Sequence, residues 1–296
     1  MKLEDVALLV DRYALRYPSS PDAIELDVAG LRIFRQAEPT TFEALVYEPV
    51  FCLIVQGQKE TVIGDRTITY GAGDALIVTH DLPVTARVID ASADKPYLAV
   101  ILTLDLGIVR SFYNQIEDVV VPDHDAVAFG VHASDDDLID AFGRYLRLAD
   151  EPVQAQTLGP LIAREIHFRL LMAPHGAMLR KLQARDSHAS RIRHAVTMIR
   201  QGYKSSLVVS DLAQSAGMSV SSFHEHFRAV TETTPLQYQK HLRLMEAKRL
   251  LTEGRLSVSS IGYEVGYESV NQFSREYTRK FGGPPSRDLP RVSSTG

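Results

Sequence analysis

The sequence predicts an α+β protein, with an N-terminal antiparallel β-barrel and flanking helices, followed by an all-α domain that carries two helix-turn-helix units in tandem. Three observations support this prediction. Short strand-like runs separated by turn residues fill residues 31–104. From about residue 190 onward the apolar residues recur at helical spacing, with glycine and proline only at boundaries. Within that helical region, the same pattern of residues occurs twice.

The composition fits a two-domain chain with packed cores. Its 296 residues are 45% hydrophobic and 23% charged, a balance typical of globular domains. The single Cys52 excludes an internal disulfide framework and any CxxC-type zinc site, and it fits a reducing compartment. No apolar run reaches the roughly 18 residues of a spanning helix, and the first residues are acidic where a signal peptide is basic. We therefore expect a cytoplasmic protein.

Charge is distributed unevenly along the chain. The net charge is -5, but from Ser187 onward 15 Lys and Arg stand against 9 Asp and Glu. The rest of the chain holds 17 basic and 28 acidic residues. A basic C-terminal region on an acidic body suggests a polyanionic partner for that region alone, although unequal solvated surfaces would give the same balance.

The barrel prediction rests on strand-like segments that follow an N-terminal helix at Leu3–Arg16. Gly57-Gln58 and Gly64-Asp65 suit tight hairpins, and residues 71–74 suit a sharper reversal. Many short strands at close spacing favour an antiparallel barrel or sandwich, with a jelly roll as the commonest form. The predicted strands are Leu31–Gln36, Phe51–Gln56, Glu60–Ile63, Arg66–Tyr70, Asp74–Thr79, Val84–Val88 and Tyr97–Leu104.

Two amphipathic helices follow the strands. Apolar residues predict one helix over Leu138–Ala149 and a second over Leu158–Leu170, which either cover the barrel or pair with another subunit. The polar segment after them is predicted to be a linker. We therefore divide the chain into a domain at 1–175, a linker at 176–189 and a second domain at 190–296.

The repeated pattern begins with a small residue and a glycine four positions later. Ala213 precedes Gly217 in the first copy, and Gly262 precedes Gly266 in the second, at an offset of about 49 residues. Two helices that cross steeply need a small residue where their backbones approach, and a short turn needs a left-handed position that glycine tolerates. Each copy therefore predicts a helix-turn-helix unit.

A capping serine and two aromatic anchors complete each copy. Ser219 and Ser269 stand where a second helix begins, and Ser269 with Gln272 resembles a capping box. Aromatic residues at i and i+4 then anchor that helix and leave its other face free to enter a groove. The anchors are Phe223 and Phe227 in the first copy and Phe273 and Tyr277 in the second.

The segment between the copies predicts one long helix. It begins with Pro235, which suits the first turn of a helix, and continues to Leu251. A helix of about 17 residues is roughly 25 Å long, so it can hold two reading helices about one turn of DNA apart.

These residues resemble the DNA-binding domain of AraC/XylS-type transcriptional regulators. The motifs are LAQSAGMSVSSFHEHF, PLQYQKHLRLMEAKRLL and IGYEVGYESVNQFSREYTRKFGGPP. Upstream, FCLIVQGQKE, YGAGDALIV and REIHFRLL resemble the cupin-like N-terminal domain of one subgroup of that family. The sequence departs from the family pattern at Gly262, where alanine is usual, and at Val208, where a capping Ser or Thr is common.

The repeat places polar residues on the face opposite the aromatic anchors of each second helix. In the second copy an Asn, Gln or Arg there can bond base edges in the major groove, and in the first copy a Glu can accept from cytosine. Ordinary solvated surface is the alternative. The candidate DNA-binding residues are Ser221, Ser222, His224, Glu225, Asn271, Gln272, Ser274, Arg275 and Arg279.

Other cations of the domain are predicted to be a mixture of phosphate contacts and solvated charges. They are Lys240, Arg243, Lys248, Arg249 and Lys280, together with Arg279. His224 and His226 do not predict a metal pair, because residues i and i+2 of a helix point in nearly opposite directions.

An enzyme is the rival from another class. Metal-dependent cupins use several histidines and a carboxylate, whereas residues 45–104 contain only His80, which we interpret as a strand-end hydrogen-bonding residue beside Asp81. Cys52 lies in an apolar run, which favours a small buried hydrophobe over a redox sensor. We predict no catalytic residues, no metal and no cofactor.

The resemblance implies an effector-responsive regulator, with an activator as the expected form. Its implied partners are double-stranded promoter DNA, a small-molecule effector of unknown identity and RNA polymerase, with a homodimer as a further expectation and no membrane. Two alternatives stay open. One is a cupin-type enzyme with a DNA-binding tail, and the other is a regulator whose barrel only dimerises.

Overall fold

The computed structural model describes residues 1–17, 22–116, 127–173, 176–183 and 187–290. Contacts divide the chain into two units. The N-terminal unit comprises Met1–Glu43 and Tyr47–Arg191, and the C-terminal unit comprises Ile192–Gly296 with Ala44–Val46. Among the described residues, no helix is both long and apolar enough to cross a membrane.

The described residues include ten strands, which form two antiparallel sheets in the N-terminal region of the chain. The six-stranded sheet has the order β1-β2-β9-β4-β7-β10, and the four-stranded sheet has the order β3-β8-β5-β6. The strands are β1 Ile24–Glu25, β2 Leu31–Gln36, β3 Glu43–Tyr47, β4 Val50–Gln56, β5 Gln58–Ile63, β6 Arg66–Gly71, β7 Asp74–Val78, β8 Leu82–Asp90, β9 Tyr97–Thr103 and β10 Phe129–Ala133. The predicted fold class, with its N-terminal antiparallel β domain and helical C-terminal region, is confirmed.

The two sheets face each other across an aromatic interior. The Tyr47 ring of β3 stacks on the Phe129 ring of β10 at a centroid distance of 6.3 Å, and Tyr70 of β6 also contacts Phe129. The outer face of the larger sheet is covered by helices, because Phe51 of β4 stacks at 5.0 Å on Phe142 of the fourth helix. Side chains that alternate along each strand therefore separate an interior face from a helix-covered face.

The connections between strands differ in several places from the prediction. The Gly64-Asp65 hairpin is confirmed, because Ile63 pairs with Arg66 directly across it. Gly57-Gln58 is not a hairpin, since β4 and β5 belong to different sheets, and the glycine-rich reversal at 71–74 likewise passes from one sheet to the other. Gly57 has φ 79°, and an added Cβ would lie 2.5 Å from the Asp90 carbonyl, so this bend accepts no side chain.

The helices are α1 Leu3–Ala14, α2 Leu106–Ser111, α3 Tyr113–Ile116, α4 Asp136–Arg147, α5 Pro152–Met172, α6 Ala177–Gln183, α7 His188–Gln201, α8 Val209–Ser215, α9 Val220–Thr231, α10 Pro235–Glu253, α11 Val258–Glu264 and α12 Val270–Phe281. The segment predicted as a linker, 176–189, includes α6, whose Met178, Leu179 and Leu182 are buried. The sequence predicts one apolar stripe along α5, but Leu158 and Leu161 are 41% and 64% exposed while Ile166 is buried.

Candidate nucleic-acid interface

The first helix-turn-helix unit consists of α8 and α9. Gly217 adopts φ 62° in the turn, as the spacing predicts, and the Ser219 hydroxyl accepts the N–H of Ser222 to cap α9. Phe223 and Phe227 are fully buried, and Phe227 packs edge-on against the Tyr238 ring of α10 at 5.8 Å. This anchoring fixes which face of α9 points outward.

The second unit, α11 and α12, repeats the same arrangement. Gly266 adopts φ 94° in the turn, and the Ser269 hydroxyl accepts the N–H of Gln272. Phe273 and Tyr277 are fully buried in a core with Leu251 and Ile261 of the preceding helices. The two-copy pattern in the sequence thus corresponds to two structural copies.

Gly262 lies where α11 and α12 approach each other. An added Cβ would lie 3.0 Å from the Phe273 ring, so the glycine permits a closer crossing than the alanine that is usual in the family. In the first unit Ala213 fills the equivalent place and is fully buried. Val208, the N-cap residue that precedes α8, makes no side-chain cap, because its side chain has no hydrogen-bond acceptor.

The structure places the predicted reading residues on the outward faces of α9 and α12. Ser222 and Ser274 are half-buried, and the others are exposed. The exposed residues are Ser221, His224 and Glu225 on α9, and Asn271, Gln272, Arg275 and Arg279 on α12. Which of these residues touch DNA stays a prediction.

A carboxylate that the sequence analysis missed holds α12 against α10. Glu276 accepts from the Lys240 ammonium at 3.0 Å, from the Tyr267 hydroxyl at 2.9 Å and from the Gln272 amide at 3.2 Å. Its side chain is 12% exposed. Burial acts to raise the pKa of Glu276, but these hydrogen bonds outweigh it and lower the pKa below its ordinary value. Only the i, i+4 spacing of Gln272 and Glu276 is visible in the sequence.

The bond between Gln272 and Glu276 occupies one hydrogen of the Gln272 amide. The Gln272 amide donates one hydrogen to Glu276 instead of closing the predicted capping box. Its second hydrogen and its carbonyl oxygen stay available, and these are the groups that bond the N7 and N6 edge of adenine. Glu276 therefore bonds Gln272 through one amide hydrogen and leaves the groups that a base contact would use.

Two of the cations predicted to be phosphate contacts or solvated charges bond within the domain. Arg243 donates to the carbonyls of Tyr203 at 2.7 Å and Ser205 at 2.9 Å, which fixes the chain after α7. Arg249 pairs with Glu246 at 2.7 Å and also with Glu253. The helix that carries them, α10, has 19 residues and is therefore roughly 28 Å long.

The described part of the N-terminal unit offers none of the metal clusters that cupin enzymes use. Within the stretches of chain that the structure describes, no three His, Cys, Asp or Glu side chains gather in a way that could hold an ion. His80 is fully buried, with its Nδ1 at 2.9 Å from the Thr79 hydroxyl and its Nε2 at 3.1 Å from the Ala189 carbonyl of α7. Burial raises the pKa of the Cys52 thiol to about 12, so this cysteine is a poor nucleophile.

Family models match both halves of the chain. Residues 27–178 match the AraC-type transcriptional regulator N-terminus, and residues 212–290 match a helix-turn-helix domain. The chain is 27% identical over 244 residues to a putative AraC-like transcription regulator of Streptomyces lividans. The matched region covers 75% of this chain and 79% of that protein.

A second relative is similar over the C-terminal region. The virulence regulon transcriptional activator VirF of Yersinia enterocolitica is 33% identical over 97 residues, which is 32% of this chain. The match spans only 34% of the length of that activator. Among solved structures, apo ToxT from Vibrio cholerae aligns with a TM-score of 0.56 at 10% identity, over 89% of this chain and 98% of ToxT. At that identity the likeness shows the fold alone.

Proposed function

This chain belongs to the family of AraC-type transcriptional regulators, and from this premise we propose that it binds its target promoter sequence-specifically as an effector-responsive activator. The observation that carries the proposal is the pair of outward polar faces. Each face lies opposite a buried aromatic pair, one on α9 and one on α12, in a region of the chain with excess positive charge. A helix anchored in this way can enter the major groove with its polar face against base edges.

Within this proposal the residues have distinct roles. On α12, Arg275 bonds a guanine edge, and Asn271 and Gln272 bond adenine edges, because their side chains carry the matching donors and acceptors. Ser274 lies on the same face, and Arg279 contacts phosphate near the end of the helix. The first unit reads less strongly through Ser221, Ser222, His224 and Glu225.

Binding to promoter DNA tests the proposal directly. The full chain is titrated with the DNA upstream of its own gene and with unrelated DNA, across a salt series. We expect Arg275→Ala to weaken binding to the promoter by about 1–3 kcal/mol, which is about 5- to 150-fold, because a bidentate base contact is lost. Binding of the same variant to unrelated DNA changes little, since phosphate contacts supply that affinity.

Arg249→Ala is the matched control. It removes an equal charge from the same domain, but its guanidinium is paired with Glu246 and Glu253 on α10. Selectivity in this variant is expected to equal that of the unchanged protein. Equal and weak binding of the unchanged protein to both DNAs would reduce the tandem units to a generic basic surface, and the proposal would fail.

We propose further that the space between the two sheets binds a small effector that changes DNA binding. To produce such coupling, the effector must favour one arrangement of the protein over another, and a hundredfold preference supplies about 2.7 kcal/mol. The names of relatives support activation, and activation implies contact with RNA polymerase. A regulator of this kind acts where the chromosome is, in the cytoplasm.

A homodimer through α5 belongs to the same proposal. Leu158 and Leu161 of α5 are exposed and line a groove of about 750 Å³ whose other walls include Arg12 and Arg147 and the acidic Asp150. Because the groove carries both signs of charge beside apolar residues, it suits a second copy of itself. Sedimentation of Leu161→Glu against the unchanged chain tests this, and an unchanged oligomeric state would refute it.

A further inference from the structure

Two cationic side chains point into the space between the sheets of the N-terminal unit. On β2, Arg35 lies on the helix-covered face, since it pairs with Asp11 of α1 at 2.8 Å. Arg32 lies three residues earlier and therefore on the opposite, interior face. From the other sheet, the Lys59 ammonium lies 5.6 Å from the centroid of the Phe34 ring of β2, so it too occupies the interior.

Arg32 and Lys59 lie in the same part of the interior. Both Lys59 and Arg32 act to lower the pKa of Cys52, against the larger effect of burial, which places both charges near this thiol. Lys59 also lies 5.5 Å from the ring of Tyr47. Beyond these, the Thr61 and Tyr70 hydroxyls lie 2.8 Å apart, and Tyr97 is buried beside Phe34. The interior thus combines two positive charges with aromatic rings and hydroxyls.

No buried carboxylate balances these charges in the segments of the chain that the structure describes. The Arg32 Nε is buried and has no hydrogen-bond partner there. Burial acts to lower the pKa of Lys59, but its bond to the Tyr47 hydroxyl and the nearby Glu43, an exposed residue, outweigh it and raise the pKa, so Lys59 stays a cation here. Arg87 shows the contrast, because it pairs with Glu60 at 2.6 Å. Burying a charged group without a partner is costly, so the unpartnered nitrogen of Arg32 beside a second cation suggests an anion that is bound from outside.

Solvent also reaches this interior. Arg32, Phe34, Tyr47 and Lys59 all face the space between the sheets, yet each keeps an intermediate exposure, whereas the residues around Cys52 on β4 are buried. Partial exposure of inward-facing side chains indicates an opening through which a small molecule can enter.

We propose that this interior binds a small organic monocarboxylate, with its carboxylate held by Arg32 and Lys59 and its apolar body packed against Phe34 and Tyr47. The inference rests on the proposed function, because it names the chemical class of the effector. A guanidinium offers a planar fork that matches a carboxylate, and an ammonium adds a second charge. A monocarboxylate suits a site with aromatic walls better than a phosphate dianion, which must lose more hydration.

Calorimetric titration of the full chain with benzoate, cinnamate and octanoate, each against its primary amide, tests the proposal. We expect at least one acid to bind at least about tenfold more tightly than its amide. Arg32→Met and Lys59→Met should each lose at least about tenfold in that affinity, because each removes one carboxylate partner. Arg35→Met, on the other face of the same strand, should bind the acid as the unchanged protein does.

The ligand-free protein gives a second readout. Because the Arg32 Nε has no hydrogen-bond partner among the described residues, removing this charge should leave the thermal midpoint of the free protein unchanged or raised. A lower midpoint in Arg32→Met would mean that this cation stabilises the fold, and it would overturn the proposal.

Other outcomes separate this proposal from the proposed function. Equal affinity for acid and amide would overturn the carboxylate class and leave an effector-binding regulator intact. Tighter binding of phenyl phosphate than of any acid would overturn it in favour of another anion. Absence of binding by every acid would overturn it as well, while promoter binding, measured on the same protein, decides independently whether the chain is a DNA-binding regulator.

Discussion

Replacing Glu276 tests whether the position of α12 depends on a partly buried carboxylate. In Glu276→Ala the Lys240 and Gln272 side chains regain water, because the first is 34% exposed and the second is exposed, so their losses are small. The Tyr267 hydroxyl keeps little access to water, since Tyr267 is 5% exposed. An unsatisfied buried group costs about 1–3 kcal/mol, and with the lost ion pair we expect about 2–3 kcal/mol of local destabilisation.

Glu276→Gln should cost about 1 kcal/mol, because its carbonyl still accepts a hydrogen bond while the charge is lost. Hydrogen exchange of peptides that cover Val270–Phe281 measures both effects. Glu253→Ala is the control, because its partner Arg249 is 56% exposed and such surface pairs contribute below about 1 kcal/mol. Exchange in Glu276→Ala as slow as in the unchanged protein would show that the aromatic core alone holds α12, and the reasoning would be wrong.

The loss of the Glu276 carboxylate should also weaken the binding of promoter DNA. If Glu276 orients Gln272, then Glu276→Ala and Gln272→Ala weaken promoter binding non-additively, since the second substitution removes a side chain that the first has already released. The double-mutant cycle is measured on promoter DNA. Strict additivity would mean that Gln272 reads its base without help from Glu276.

Three further predictions concern stability and reactivity. In urea unfolding, Gly266→Ala should lower the free energy of unfolding by more than about 3 kcal/mol, because the new Cβ would lie 2.2 Å from the Lys204 carbonyl. Gly282→Ala should lower it by about 1 kcal/mol, because Gly282 has φ 73° but no described atom lies within 4 Å of an added Cβ. Burial lowers the pKa of His167, so this residue stabilises the folded protein above its ordinary pKa of about 6.5, and the stability is lost as the pH falls below that value. In His167→Leu the free energy of unfolding should lack this dependence on pH. With its raised pKa, Cys52 should resist alkylation by iodoacetamide at neutral pH until the protein unfolds.

The helical region of the fold could be predicted because its signals are local. Gly217 and Gly266 mark left-handed turns, Ser219 and Ser269 mark helix starts, and each signal lies within one turn of the feature it specifies. A second copy of the same pattern confirms the first within one sequence.

The contacts that bind elements together could not be predicted in the same way. Lys240 and Glu276 are 36 residues apart, and nothing near either residue indicates its partner. The same holds for Arg243, which the sequence places among phosphate contacts or solvated charges and which instead bonds carbonyls about 40 residues earlier in the chain. For the sheets, the turn residues at Gly57 were visible, but whether a turn joins neighbours or passes between sheets depends on distant pairing.

Buried charge is treated differently in the two units, and the difference bears on what each unit does. In the C-terminal unit Glu276 is surrounded by donors from its own domain, so the charge serves to hold a helix in place before any partner arrives. In the N-terminal unit the Arg32 Nε has no hydrogen-bond partner among the described residues, and the side chain that bonds Lys59 beside it is the Tyr47 hydroxyl rather than a carboxylate. A satisfied charge stabilises the fold itself, whereas an unsatisfied one lowers stability until something binds. An anion that enters the N-terminal unit can therefore bond a group that has no partner in the described part of the free protein. Such a favourable interaction is what an effector needs to shift a regulator between states.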